Sequence, residues 1–350
     1  MGSEIGLGVI GLGMGRDLFY LNRDASSRFR VRGVCATTPS KVEEAARGHG
    51  IPFFTTDYRQ LVRRDEIDAV AVFSPDHLHG EHCLAALEAG KHVLVTKPMV
   101  TRLSEAVQIT REAEARGLKL LVGETCRWYT SFLALKKLYD DGDLGEPVLA
   151  EAHYVHEIKD FFGLTPWRID VPQDFMYGGV CHPVDSLVWL LGDVDEVHCY
   201  AGRGGLSDYP IEDNFALNLR FARGVIGRVL GAYGVVQPGW PMMGLTIYGT
   251  RATATATFED FQPSQLRVVF DKLDGNRPAV IDYPADLEGA YGQGLAVRRY
   301  MAHFADCILH DRTPCEDARE ATKTIAALDA AWRSAKTGQA QKVSSEAYGA

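Results

Sequence analysis

Three glycines crowd into the run Gly11-Leu12-Gly13-Met14-Gly15-Arg16, directly behind the apolar stretch Ile5-Gly-Leu-Gly-Val-Ile10. A short buried strand that runs into such a run must turn sharply, and a helix is predicted from about Arg16. Gly11 permits the tight turn, and Gly13 lets backbone come close to a ligand. The N–H groups opening the helix then face an anion such as a pyrophosphate. The third glycine of a dinucleotide fingerprint would stand at position 16, which is Arg16; Gly15 sits one place early. Glycine turns of this kind are common, so the weight rests on the elements downstream of the turn.

Those elements alternate. Val31–Ala36 reads as a strand, and a helix over Ser40–Gly48 opens with Pro39. Asp68–Phe73 is an unbroken apolar strand leading through Ser74-Pro75 into a helix that ends at Gly90. Strand Lys91–Val95, helix Leu103–Arg116 and strand Lys119–Val122 complete the series. Strands alternating with helices of this length predict a doubly wound parallel sheet of the Rossmann type over residues 1–124. From residue 125 to 350 the pattern is different. Period-two runs at Val148–His156, Val194–Tyr200, Asn214–Phe221, Val225–Gly231, Leu245–Tyr248 and Thr253–Phe258 predict an antiparallel or mixed sheet covered on one face. Helices Leu295–His310 and Glu316–Lys336 close this second domain.

Composition removes other classes. The 350 residues are 46% hydrophobic and 24% charged, with no apolar run long enough for a bilayer span and no basic leader before the first strand. Seven scattered cysteines without a Cys-x-x-Cys pair suggest reduced thiols and a cytoplasmic protein. A net charge of −9 argues against nucleic acid. Residues 1–124 carry 16 basic and 16 acidic side chains, so the whole excess lies in residues 125–350. Among polar ligands that favours a cationic one, such as an amino sugar.

The end of the second strand bears on the cofactor. An acidic residue that would bind a ribose diol is replaced by Ala36, followed by Thr37, Thr38 and Lys41. Without that carboxylate a 2′-phosphate is not repelled, and NADP is favoured over NAD.

Lys97-Pro98 after Gly90-Lys-His-Val-Leu-Val-Thr96, together with Ser74-Pro75-Asp-His-Leu-His79, is a more specific pattern. With the glycine turn, Arg127-Trp-Tyr, Pro166-Trp167-Arg168, Gly178-Gly-Val-Cys-His182-Pro-Val-Asp185 and Ala290-Tyr291, it resembles the Gfo/Idh/MocA oxidoreductase family over most of the chain. The resemblance implies a Rossmann domain followed by an α/β domain with an open, mostly antiparallel sheet, and a homodimer or homotetramer. It also implies hydride exchange between NAD(P) and a carbinol of a sugar, cyclitol, amino sugar or glycoside. By that resemblance Lys97 and His182 are active-site residues, and Ser74, Pro75, His79, Trp167, Arg168 and Tyr291 touch the cofactor. Two departures stand out: Thr96 replaces a family Glu, and Gly178 replaces the acid four residues before the histidine.

Oxidising a carbinol needs one group to take the hydroxyl proton and another to steady the alkoxide. An imidazole suits the first task near neutral pH, which nominates His182, with the Lys97 amine beside it. If Gly179–Leu191 is helical, Asp185 and Trp189 share the face of His182, and Asp185 orients the imidazole or binds substrate. Arg127, Tyr177 and His156 are further substrate contacts, with His156 placed on the opposite strand face from Tyr154. Lys159-Asp-Phe-Phe162 and Gln237-Pro-Gly-Trp-Pro241 read as walls of the site. His77, His79 and His82 lack the fourth ligand of a tetrahedral site, and no metal is expected. Two other functions compete: a redox-neutral lyase or glycosidase that keeps its nicotinamide, and a sensor without chemistry.

Overall fold

The computed structural model describes residues 4–348, except 160–161, 163–166, 207, 237–240, 260–262, 275–276 and 288–293. The chain divides into two units, one of residues 1–124 with 290–322 and one of residues 125–289 with 323–350.

In the first unit, strands β1 (Ile5–Ile10), β2 (Phe29–Cys35), β3 (Phe53–Thr55), β4 (Ala69–Val72), β5 (His92–Thr96) and β6 (Leu120–Gly123) form one sheet in the order β3-β2-β1-β4-β5-β6. Every pairing is parallel. β1 and β4 are buried at every position, as strands covered on both faces must be. The order reverses between β1 and β4, and ligands of such sheets bind at that switch, beyond the strands' carboxyl ends. The segment after the glycine turn is a 3-10 helix, Met14–Asn22, and starts two residues earlier than expected.

The sequence pattern places the end of this unit at Glu124, but residues 290–322 return to it. The reason is the apolar face of the helix Leu295–Leu309, where Ala296, Val297, Tyr300, Met301 and Phe304 are buried at helical spacing. Phe304 stacks on Phe29 of β2 with ring centroids 5.8 Å apart. Farther on, the Thr110 and Thr322 hydroxyls are 2.9 Å apart, and Val122 N donates to the Glu316 carbonyl at 3.0 Å.

The second unit is built on a sheet of β7 (Pro147–His156), β8 (Val194–Gly202), β9 (Asn214–Phe221), β10 (Ile226–Tyr233), β11 (Met243–Gly249), β12 (Ala252–Phe258), β13 (Pro263–Asp274), β14 (Arg277–Leu287) and β15 (Gln341–Lys342). The order is β14-β13-β12-β11-β7-β10-β9-β8-β15. β7 and β10 pair parallel and the other neighbours antiparallel. Strict alternation in β9 and β10 buries Phe215, Leu217, Leu219, Phe221, Val229 and Tyr233 on one face. The helix Cys181–Leu191, buried at every position but Trp189, lies on that face, against β7, β10 and β11. The β13–β14 hairpin is not among the strands expected from the sequence, although Asp274-Gly275 is a strong two-residue turn signal.

Candidate active site

In the first unit the glycine turn has the shape a dinucleotide needs. Gly11 sits at φ +102°, and a Cβ there would lie 2.3 Å from the Phe73 carbonyl oxygen, so only glycine fits. Nothing stands within 4 Å of where a Cβ on Gly13 would be, which leaves its backbone open to an approaching pyrophosphate. Gly15 packs tightly on Val9 and Phe73. Arg16 stands where a third glycine would, and its side chain folds back so that Nε donates to the Leu12 carbonyl at 2.8 Å. Thr37, Thr38 and Lys41 are exposed at the end of β2. These residues fit a nicotinamide dinucleotide.

Lys97 follows the last residue of β5, at the carboxyl edge of the same sheet, and its peptide bond to Pro98 is cis. His79 holds this edge together. Its Nδ1 lies 2.8 Å from the Pro98 carbonyl oxygen and its Nε2 2.8 Å from that of Ser74, tying the loops after β4 and β5. The resemblance places His79 against the cofactor. The ring is buried between these two carbonyls, and burial pushes its pKa down. The Ser74 hydroxyl meets His82 Nδ1 at 2.8 Å, and Pro75 opens the short turn behind it.

In the second unit His182 lies in the first turn of the helix Cys181–Leu191 and is 6% exposed. Its ring stands at right angles to that of Tyr154 of β7, with centroids 5.3 Å apart and planes at 88°. The Tyr154 hydroxyl reaches His156 Nδ1 at 3.1 Å. His156 and Tyr154 therefore share a face, contrary to the expectation from sequence, because residues two apart on a strand point the same way. His153 points the other way and meets the Pro241 carbonyl at 3.0 Å.

Asp185 is held by a guanidinium and a hydroxyl. Its Oδ2 accepts from Arg127 Nε at 2.7 Å, and its Oδ1 accepts from Arg127 Nη2 at 2.7 Å and from the Thr324 hydroxyl at 3.0 Å. Arg127 and Asp185 are 2% and 3% exposed, so the pair is a buried clasp. Tyr177 is buried too, and burial raises its pKa. Arg168 donates from Nε to Gln173 Oε1 at 2.7 Å. The side chain of Trp167, the residue Tyr291, residues 160–161 of one expected wall loop and residues 237–240 of the other lie outside the described residues.

At Gly178, where the family acid is missing, the Gln173 side chain fills the space a Cβ would enter. A Cβ there would lie 2.6 Å from Cδ of Gln173, and one on Gly179 would lie 2.0 Å from the Tyr233 hydroxyl. Sequence reasoning misses Gln173, Tyr233 and Cys126, whose Sγ is 3.3 Å from His182 Nδ1.

Compared with known proteins, residues 5–124 match the oxidoreductase family with an NAD-binding Rossmann fold, GFO_IDH_MocA, and residues 132–255 match the GFO/IDH/MocA C-terminal domain. The chain belongs to the Gfo/Idh/MocA family. As a member it is a nicotinamide-dependent oxidoreductase. It is 31% identical to inositol 2-dehydrogenase 2 of Saccharopolyspora erythraea over 83% of this chain and 82% of the relative. It is 30% identical to the NADP(+) scyllo-inositol 2-dehydrogenase of Bacillus subtilis over 85% of this chain and 79% of the relative. An oxidoreductase from Agrobacterium radiobacter, solved with NAD+, L-tartaric acid and magnesium, superposes with a TM-score of 0.86 over 97% of this chain and 99% of that one, at 21% identity. That likeness is one of fold. Among the described residues no helix is long and apolar enough to cross a membrane.

Proposed function

We propose that this Gfo/Idh/MocA oxidoreductase interconverts a secondary hydroxyl and a ketone on the ring of a cyclitol or sugar. Two relatives at 30% identity or above, each matched over most of its length, are named as inositol dehydrogenases. The observation that carries the reading is the place of Lys97, on the carboxyl edge of the Rossmann sheet, with its loop pinned through His79 to the loop after β4.

Gly11, Gly13 and Gly15 hold the pyrophosphate at the turn. Thr37, Thr38 and Lys41 take the adenosine ribose, and the absence of a carboxylate among them favours NADP. When bound, the nicotinamide supplies the hydride acceptor or donor. The chain's own work is with the proton. Lys97 as ammonium steadies the substrate oxygen, and His182 takes the hydroxyl proton in oxidation and returns it in reduction. His156, on the Tyr154 face of β7, binds a neighbouring hydroxyl. The acidic second unit leans the substrate toward cationic amino derivatives. Self-association through the outer sheet face, where Tyr200, Ile226 and Leu230 are exposed, belongs to the same reading.

A panel of inositols, amino sugars and anhydro sugars with NAD and with NADP, followed by nicotinamide absorbance, tests it. Wild type turns over at least one cyclitol or sugar, more tightly coupled to NADP. Lys97→Ala loses roughly 10²-fold or more in turnover, while cofactor binding by fluorescence persists. A fully active Lys97→Ala variant overturns the reading.

A further inference from the structure

Of the three histidines that follow β4, His77 is exposed and His79 bonds main-chain carbonyls, which leaves His82 without a role in the functional reading. It lies in the first turn of the helix His79–Glu88 and is 7% exposed. Its Nδ1 meets the Ser74 hydroxyl at 2.8 Å. Its ring packs on that of Tyr58, with centroids 4.4 Å apart. Tyr58 is fixed in turn, because its hydroxyl donates to Glu81, whose carboxylate also accepts from Arg59 Nη2 at 2.9 Å.

The place of Ser74 makes this contact matter. β1 and β4 flank the switch point of the sheet, and Ser74 comes two residues after β4. A Cβ on Gly11 would lie 2.3 Å from the Phe73 carbonyl oxygen and 2.9 Å from Ser74 N. The main chain at Phe73 and Ser74 is therefore the wall against which the glycine turn closes. Ser74 is held from two further sides. Its carbonyl oxygen lies 2.8 Å from His79 Nε2, which reaches on to the loop after β5, and its hydroxyl is tied by His82 to the helix behind.

We propose that His82 is a positioning residue for the nicotinamide dinucleotide, acting through Ser74 to fix the wall of the glycine turn. The proposal rests on the cofactor reading of that turn and not on the roles given to Lys97 and His182. A wall tied on one side alone gives way when a pyrophosphate enters the turn. Tied on both sides it is already in place, and binding spends nothing on ordering it.

Titration of the full-length protein with NADPH and with NADH, followed by nucleotide fluorescence, tests this without any sugar. His82→Phe keeps a ring beside Tyr58 and removes the bond to Ser74. It and Ser74→Ala each weaken cofactor binding by about fivefold, the worth of one hydrogen bond. His82→Asn, whose amide reaches the same hydroxyl, binds as wild type does. The double variant is no weaker than either single one, because both changes remove the same contact. In turnover the loss appears in the cofactor KM and leaves kcat unchanged, whereas a merely structural role moves the urea midpoint and not KM. A His82→Phe variant that binds both nucleotides as wild type does, or losses that add in the double variant, overturns the proposal. If His82→Phe does not fold, Ser74→Ala decides, since it removes only the hydroxyl. If binding shifts as stated but no cyclitol or sugar is turned over, the positioning stands and the substrate reading falls.

Discussion

His79 and His182 are both buried histidines, one in each unit, and their surroundings differ in kind. The partners of His79 are main-chain carbonyls, those of Pro98 and Ser74. His182 is met by side chains, the Cys126 thiol at Nδ1 and the perpendicular Tyr154 ring. Main-chain partners cannot be retuned by substitution, so a histidine held that way ties loops. Side-chain partners set tautomer and tilt, which matters only if the ring exchanges protons. The contrast separates a brace from a working group without appeal to exposure, which is nearly the same for both.

The largest effects expected would break this contrast if they came out reversed. His182→Ala lowers turnover by roughly 10²- to 10⁴-fold and leaves the urea midpoint near wild type. His79→Ala removes the ring packed between the Pro98 and Ser74 carbonyls, leaves one of them short of a donor and costs about 2 kcal/mol of stability. Part of any turnover loss in His79→Ala returns at saturating cofactor, because the loop edge it ties is displaced and no reacting group is lost. Steady-state kinetics and urea unfolding on both variants decide which histidine is which.

The second unit also contains a brace, which sharpens the comparison. Arg127 and Asp185 bond each other through two parallel N–H···O contacts with almost no exposure. Arg127→Met strands a buried carboxylate and is expected to cost about 3–5 kcal/mol. Arg127→Met with Asp185→Leu removes both charges and recovers most of that loss, as replacing a whole buried pair often does. A double variant no better than the single one would mean that Asp185 has work beyond its partner.

These residues also show how much is legible before the chain folds. The Rossmann unit is readable because its signals are local: glycine spacing, unbroken apolar strands and a period of alternation. Lys97 and His182 are found through motif resemblance, and their motifs are contiguous. The misreadings are of two kinds. Asp185 shares a helix face with His182 by spacing, but spacing does not show that Arg127, far away in sequence, claims both of its oxygens. Setting His156 opposite Tyr154 miscounts a period of two, which the strand itself corrects. Cys126 and Gln173 escape detection, because a cysteine and a glutamine without a motif carry no signal until the chain folds. The return of residues 290–322 to the first unit is of the same sort, since an amphipathic helix does not name its partner.

The smallest effect is one of pH, and it tests whether the Rossmann unit's histidines are structural as a group. Burial lowers the pKa of His79, and that of His82 to about 4. Both rings are therefore neutral in the folded protein, whereas in the unfolded chain they take up protons below about 6.5. As pH falls through that value the unfolded state binds more protons, so stability is full above it and is lost progressively below. Each such histidine contributes a slope of up to about 1.4 kcal/mol per pH unit. The slope from His82 ends near pH 4, where its folded form also protonates. His92 and His303 in the same unit are shifted the same way by burial, so the wild-type slope exceeds one proton. In His82→Asn, whose amide can still meet the Ser74 hydroxyl, the slope of unfolding free energy against pH falls by about one proton between about pH 6.5 and about pH 4. An unchanged slope, measured by urea unfolding across that range, would mean that the His82 ring is already wet and titrates as a surface group, leaving His79 to hold the β4 and β5 loops alone.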